Sequence, residues 1–194
     1  MRRILGIDEV GRGCWAGPLV AGAVLLHEPI PGLRDSKKLS RKQRERLDAE
    51  IRVQALAVGI GWVTPGEVDT LGLTRAVQTA MERAVAQITA AYEEIIIDGS
   101  FNFLKSNPKA SALVKADDSV PAVSAASIIA KVARDNFMKE AAKQYPGYGF
   151  ESHVGYGTAV HIQALKAQGV CELHRLSYRP IQALGTKTAK PTSS

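Results

Sequence analysis

The segment Glu94-Ile95-Ile96-Ile97-Asp98-Gly99 constrains this chain more than any other. Three consecutive β-branched residues are apolar on both faces of an extended backbone, the pattern of a strand in the middle of a covered sheet, and the acid and glycine that follow place Asp98 at its C-terminal tip. Ile4 to Ile7 reads as a second short buried strand, and it too runs into acids, Asp8-Glu9. Leu19 to Leu26 is a further strand, rich in small apolar residues. The glycine-rich stretch Gly11-Arg12-Gly13-Cys14-Trp15-Ala16-Gly17-Pro18 separates it from the first, which suggests a hairpin or a bent turn.

Ser40 caps a helix that runs to about Val53, and Ala57 to Val63 returns as a strand. After Pro65, the span Gly66 to Ala91 carries apolar residues at helical spacing, read as a short turn and a long helix. Ala112 to Ala116 is a short strand. From Val123 the small and aliphatic residues of Ser124-Ala125-Ala126-Ser127-Ile128-Ile129-Ala130 begin a helix reaching roughly Lys143, whose first half must pack tightly. Pro146 to Phe150 breaks the chain and Thr158 to Gln168 resumes as a helix. Strands come mostly early and helices mostly late, with acids at strand ends, which indicates an α/β or α+β layer fold. One domain over residues 1–185 is expected, with a polar tail over 186–194 expected to be disordered.

Of 194 residues, 45% are apolar and 6% aromatic, enough for an aliphatic core of ordinary size. There is no run of ~18 apolar residues, and Asp8 interrupts the N-terminal apolar stretch, so a soluble cytoplasmic protein is expected. Two cysteines, Cys14 and Cys171, suggest neither a disulfide framework nor a thiolate metal cage. Residues 1–101 hold 13 of the 25 Lys and Arg and 13 of the 19 Asp and Glu, leaving 12 basic against 6 acidic groups in residues 102–194. A basic excess confined to one half favours a polyanionic partner.

Phosphodiester cleavage at neutral pH needs an activated water, a stabilised leaving oxygen and neutralised phosphate charge. Two hard cations held by carboxylates supply all three. Asp8, Glu9, Asp98 and Asp117 all stand at expected strand ends and could gather on one sheet edge. Taken singly, each could equally cap a turn or a helix. Asp8 and Glu9 would point to opposite faces of a regular strand, so both can face one site only if the strand ends or bends there, which the following glycines permit. Clustered carboxylates without a cation raise one another's proton affinity, so divalent metal is expected to stabilise the fold.

Gly11, Gly13 and Gly17 do not make a dinucleotide-binding turn, because the third glycine falls one residue late and Asp8-Glu9 would repel a pyrophosphate. An ordinary tight turn and a backbone edge open to a nucleic-acid sugar both fit, and Arg12 could pair with a phosphate.

The sequence Gly6-Ile7-Asp8-Glu9-Val10-Gly11-Arg12-Gly13 with Ala16-Gly17-Pro18 resembles the opening signature of the ribonuclease HII family. The likeness continues through Asp35-Ser36-Lys37-Lys38-Leu39-Ser40, Asp98-Gly99, Lys115-Ala116-Asp117, the run Ser124 to Asp135, and Gly155-Tyr156-Gly157-Thr158. It spans residues 4 to about 181. The resemblance implies a ribonuclease H-like fold, a mixed central sheet flanked by helices with a C-terminal helical segment completing the substrate groove. It implies that Asp8, Glu9, Asp98 and Asp117 bind two Mg²⁺ or Mn²⁺ ions, Asp118 being a turn or helix-start residue. It also implies that main-chain groups of Gly11, Arg12 and Gly13 contact a ribonucleotide 2′-hydroxyl, that Tyr156 packs on the next sugar, and that Lys37 meets phosphate.

The implied reaction cuts the RNA strand of RNA–DNA hybrids, and the 5′ side of single ribonucleotides in duplex DNA, by metal-activated water. It leaves 3′-hydroxyl and 5′-phosphate ends, as ribonucleotide excision repair requires, and the enzyme would act as a monomer. Ser100 stands where the family often has Asn, which could weaken one phosphate contact. Asp135 with Arg134 reads as a structural pair, Tyr148 and Tyr178 as core residues near turns, and His153, His161 and His174 as turn or surface residues. A catalytically silent duplex-binding module and a hydrolase of small phosphate esters are the competing functions; the first would not depend on metal, and the second needs neither Gly-Arg-Gly nor Tyr156.

Overall fold

The central strand of the sheet is β1 (Ile4–Val10), and its two neighbours differ in direction. On one side it pairs antiparallel with β2 (Leu19–Leu26), which pairs antiparallel with β3 (Ala55–Val63). On the other it pairs parallel with β4 (Glu94–Asp98), which pairs parallel with β5 (Ala110–Leu113). The order is β3-β2-β1-β4-β5, a mixed sheet with helices on both faces, as the family resemblance implies. The computed structural model describes residues 2–184, so the tail expected to be disordered lies outside the described residues.

Glycines set how closely the helices approach. α5 (Pro121–Gln144) crosses β1 and β2 on one face, where a Cβ on Gly6 would stand 2.2 Å from the carbonyl carbon of Ala122 and one on Gly22 would stand 2.4 Å from the carbonyl oxygen of Ala126. α3 (Leu73–Val85) lies on the opposite face over Gly59 and Gly61, where a Cβ on Gly61 would come within 1.8 Å of the Ala80 carbonyl oxygen. Helix backbone therefore rests directly on strand backbone. Leu5, Ile7, Ile95 and Ile97 fill the α3 side with Val77 and Met81. Val24, Ala125, Ile128 and Ile129 fill the α5 side, with Leu47 and Ile51 from α1 (Arg41–Gln54).

Local signals place the helix ends. Ser40 and Gln43 form the capping box that starts α1, and Thr64 and Glu67 form another that starts α2 (Pro65–Leu71). The short turn expected after Pro65 is the helix α2, set off from α3 by Gly72 at φ 73°, and the long helix that follows ends at Val85 rather than near residue 91. The strand expected over Ala112 to Ala116 is shorter and earlier. Lys115 turns into the left-handed region at φ 58° and begins the one-turn helix α4 (Ala116–Ser119), so Asp117 sits in a helix rather than at a strand tip. Beyond α5, the short α6 (Phe150–His153), α7 (Ala159–Gln168) and α8 (Arg179–Ala183) pack around Met138, Tyr148, Phe150, Leu165 and Ile181.

Gly6→Ala should lower the unfolding free energy by ~3 kcal/mol or more in urea titration, because backbone rather than a flexible side chain meets the new Cβ. Gly66→Ala, where a Cβ meets nothing within 4 Å inside α2, should be neutral or stabilising by ~0.5–1 kcal/mol. Equal effects at the two positions would refute the close-approach account.

Candidate active site

Side-chain alternation along β1 sends Gly6 and Asp8 toward α5, and Leu5, Ile7 and Glu9 toward α3. Along β4 the same rule puts Ile96 and Asp98 on the α5 side. Asp8 and Asp98 thus stand on one face at the C-terminal ends of adjacent parallel strands. α4 brings Asp117 to them, and ligand-capable oxygens of Asp8, Asp98 and Asp117 all lie within 4.8 Å of one another.

Each of the three carboxylates has a different support. Asp98 Oδ1 accepts the amides of Ala116 (2.8 Å) and Asp117 (3.4 Å), which ties the strand tip to the start of α4. Asp117 is buried, and its carbonyl accepts the hydroxyl of Ser124 at 2.6 Å. Burial and the neighbouring Asp98 push its pKa up. Asp8 accepts its neighbour's amide, Glu9 N, at 2.8 Å. Its pKa is pushed up to about 8, first by burial and then by the charge of Glu9, with Ser127 of α5 opposing through a hydrogen bond. Ser127 is itself joined to Ser36 at 2.9 Å, which docks the Asp35-Ser36-Lys37-Lys38 segment onto α5.

Glu9 stays outside this trio. The strand remains regular through Val10, so Glu9 keeps the opposite face, and the bend expected from the glycines begins only beyond it. One oxygen accepts Arg12 at 3.1 Å; the other, Oε2, is buried without a hydrogen-bond partner among the described residues. Burial raises its pKa and Arg12 opposes the rise. Asp118 is held away from the trio by Lys38, at 2.6 Å.

The remaining expected site residues flank these acids or lie in two loops docked on one another. Lys37 Nζ is 3.9 Å from Asp117 and largely exposed. Gly11 takes φ 93°, which L side chains rarely adopt, whereas Gly13 has neither a positive φ nor any atom within 4 Å of where its Cβ would be. Trp15 and Ala16 donate their amides to the Gly155 carbonyl, at 2.8 and 3.3 Å. Tyr156 is 42% exposed, and its hydroxyl lies against the Cys14 thiol.

Two arginines that sequence reasoning did not assign to the site hold these loops. Arg175, fully buried, donates to the carbonyls of Gly11 (2.7 Å), Arg12 (3.2 Å) and Gly17 (2.9 and 3.1 Å) and to the hydroxyl of Tyr178 (2.8 Å). That hydroxyl in turn donates to the Arg12 carbonyl at 2.5 Å. Arg134, also fully buried, donates to the carbonyls of Pro18, Ala16 and Val154 at 2.8 to 3.0 Å. It is not paired with Asp135, which bonds Lys131 at 2.8 Å and lies 3.9 Å from Arg44. His153, His161 and His174 are buried rather than on the surface.

Residues 5–181 match the family model described as Ribonuclease HII. The chain belongs to the ribonuclease HII family. Ribonuclease HII of Bacillus thuringiensis (strain Al Hakam) and of Bacillus cereus (strain 03BB102) are each 48% identical over 181 residues, covering 92% of this chain and 70% of theirs. Among solved structures, a chain in the PCNA:RNase HII complex from Archaeoglobus fulgidus aligns with a TM-score of 0.79 at 26% identity, over 91% of this chain and 95% of that one. Ribonuclease H2 from Pyrococcus horikoshii OT3 aligns with 0.77 at 26% identity, over 94% and 96%. The family comprises nucleases that cleave RNA in RNA–DNA hybrids and use divalent metals. The donor set fits that use: three convergent carboxylates, oxygen ligands only, two of them, Asp8 and Asp117, driven toward protonation by burial and by neighbouring carboxylates.

The pH dependence of metal-free stability follows from Asp8. Its folded pKa of about 8 exceeds the unfolded 3.8, so the folded state holds the extra proton between those values. Its contribution to stability is fully present below pH ~4 and is lost as pH rises through ~8. In EDTA, Asp8→Asn should melt higher than wild type near pH 8 by the equivalent of a few kcal/mol, and the difference should shrink toward pH 4. Mg²⁺ or Mn²⁺ should raise the melting temperature of wild type and not of Asp8→Asn. A wild-type melting temperature indifferent to both ions would contradict a metal role for the trio.

Proposed function

We propose that this protein hydrolyses the RNA strand of RNA–DNA hybrids and cuts on the 5′ side of single ribonucleotides embedded in duplex DNA, leaving 3′-hydroxyl and 5′-phosphate ends. Within a shown nuclease family, the observation that carries this reading is the convergence of Asp8, Asp98 and Asp117 at the ends of two parallel strands. These three, with Glu9, would hold two divalent cations, Mg²⁺ or Mn²⁺. Bound there, the cations would neutralise phosphate charge and lower the pKa of water at neutral pH.

The chain's own groups do the rest. Asp98 is oriented by two amides before any ligand arrives, and Asp8 is oriented by Ser127 and by the Glu9 amide. Glu9 lies on the opposite strand face, but it brings a buried oxygen without a partner among the described residues and its charge acts on Asp8, which supports reading it as the fourth carboxylate of the set.

Discrimination between RNA and DNA would rest on the loops. Gly13 leaves its backbone open, so a sugar edge can approach its main-chain atoms without meeting a side chain. Gly11 and Arg12 have their carbonyls fixed by Arg175, and main-chain groups held in this way can read a 2′-hydroxyl by direction as well as distance. Tyr156 offers an exposed ring for the neighbouring sugar. Lys37 and the Arg12 guanidinium are exposed cations placed for phosphate. We further propose that the protein acts as a monomer and serves in ribonucleotide excision repair.

Asp8→Asn and Asp98→Asn should each reduce cleavage by ~10³-fold or more while leaving duplex binding within a few-fold. The deciding substrate pair is one duplex containing a single ribonucleotide and its all-DNA counterpart, each incubated with Mg²⁺, Mn²⁺ or EDTA. Only the first should be cut, only with metal, and on the 5′ side of the ribonucleotide. Equal cutting of both duplexes would remove the 2′-hydroxyl-reading role of Gly11, Arg12, Gly13 and Tyr156, and retained turnover in either variant would remove the acids.

A further inference from the structure

The three buried histidines of the C-terminal layer make hydrogen bonds that favour one arrangement of protons. The carbonyl of Tyr156 can only accept, and His161 Nδ1 lies 3.0 Å from it, so that nitrogen carries the hydrogen. In a neutral ring, Nε2 of His161 is then an acceptor. It faces His174 Nε2 at 3.0 Å, which must therefore be the donor. That leaves His174 Nδ1 with a lone pair: the Cys171 amide donates to it at 2.8 Å, closer than the Cys171 thiol (3.2 Å) and the Cys171 carbonyl (3.1 Å), the last of which would call for a hydrogen on that nitrogen. His153 reaches the same outcome separately. Its Nε2 donates to the Tyr148 carbonyl at 2.7 Å, and its Nδ1 accepts the Gly155 amide at 3.1 Å.

The two ends of this network meet on one dipeptide. Gly155 N–H is held by His153, and Tyr156 C=O is held by His161. The same histidines stack on each other, with ring centroids 4.5 Å apart. His174 also bridges to Ala16 in the glycine-rich loop, and the Trp15 ring packs 5.9 Å from His161. Burial lowers His161 and His174 to about 4, in keeping with uncharged rings at neutral pH. A solvated polar residue at any of these positions would leave backbone groups unpaired inside the layer.

We propose that His161 and His174, with His153, form a directional relay of neutral imidazoles that positions Tyr156 for substrate by fixing the backbone on either side of it. The role is one of positioning: none of the three need touch substrate. It rests on the reading of Tyr156 as a sugar contact, and the relay and that reading fail under different measurements.

Long-range ¹H–¹⁵N correlation spectra of the wild-type protein at pH 7 should show the hydrogen on Nδ1 of His161, on Nε2 of His153 and on Nε2 of His174, with no imidazolium. A hydrogen on Nε2 of His161, or a charged ring, overturns the relay, and this measurement needs no substitution. In activity, His161→Asn keeps an N–H donor at the Nδ1 position, whereas His161→Gln moves it to the Nε2 position. On the single-ribonucleotide duplex, His161→Gln should lower kcat/KM about tenfold, as loss of one positioning hydrogen bond would, and His161→Asn should stay within about threefold of wild type. Equal losses in both variants, or losses in neither, refute positioning by this bond. Tyr156→Ala separates the two ideas: full cleavage by it removes the sugar contact and with it the positioning role, even where the spectra show the expected hydrogens, whereas impaired cleavage by Tyr156→Ala beside an unimpaired His161→Gln keeps the sugar contact and removes the relay.

Discussion

The backbone of α5 sits directly on β1 and β2, and most of the site follows from that one close approach. Gly6 and Gly22 have no side chains to hold the helix away, so Ala122 and Ala126 present their carbonyl groups to the strands themselves. At this separation Ser127 reaches both Asp8 and Ser36, which places the lysine-bearing segment beside the acids. The helix's first turn donates Ser124 to the Asp117 carbonyl, and its middle supplies Arg134 to the loop that follows β1. Over 24 residues, about 36 Å, one rigid element therefore spans from the carboxylates to the C-terminal layer. A side chain at either glycine would shift all of these contacts together.

Arg134 and Arg175 solve a second problem, which is how to hold an irregular loop without regular backbone pairing. A guanidinium offers five donors in a fixed plane, and here all three nitrogens of each side chain meet main-chain carbonyls between Gly11 and Pro18 or at Val154. Neither makes an ion pair with a carboxylate among the described residues. Converging carbonyl dipoles offset the buried charge, and burial pulls the pKa of Arg134 down. Lysine would supply one nitrogen where three directions are needed. The positive φ of Gly11 and Gly17 is what lets neighbouring carbonyls turn inward to the same guanidinium.

Local chemistry in this chain is legible, and long-range pairing is not. Ser40 and Thr158 announce helix starts because a cap acts within three residues, and the isoleucine run before Asp98 announces a covered strand because both of its faces are apolar. Asp8 and Asp98 could be read as strand-end acids for the same reason. Asp117 was reached through its likeness to a family pattern, and the strand expected there is a left-handed turn at Lys115 that no propensity of lysine suggests. Glu9 could not be placed, since its orientation depends on whether β1 continues past Asp8, and that depends on pairing with a strand ten residues away. The burial of Arg134, Arg175 and the three histidines is not legible in the sequence, because such side chains usually face water. Only the tertiary structure shows that each closes a hydrogen bond the loops cannot make themselves.

The acids and the loops are stabilised in opposite ways, and the difference suits the tasks proposed for them. In the loops every buried side-chain nitrogen and oxygen among the described residues has a partner: carbonyls meet guanidinium or imidazole, and Gly155 and Tyr156 are bonded on both sides. At the sheet edge, burial and Glu9 push the pKa of Asp8 up, and Glu9 keeps one buried oxygen with no hydrogen-bond partner among the described residues. Loops that recognise a sugar must be rigid before the substrate arrives, because any ordering left to binding subtracts from affinity and blurs selectivity. Carboxylates that take up cations must keep unmet electrostatic demand, because a site whose charge is already neutralised has nothing left for a metal. The glycine-seated helix supports both, since it fixes the positions of the acids without neutralising them and carries the arginine that completes the loops.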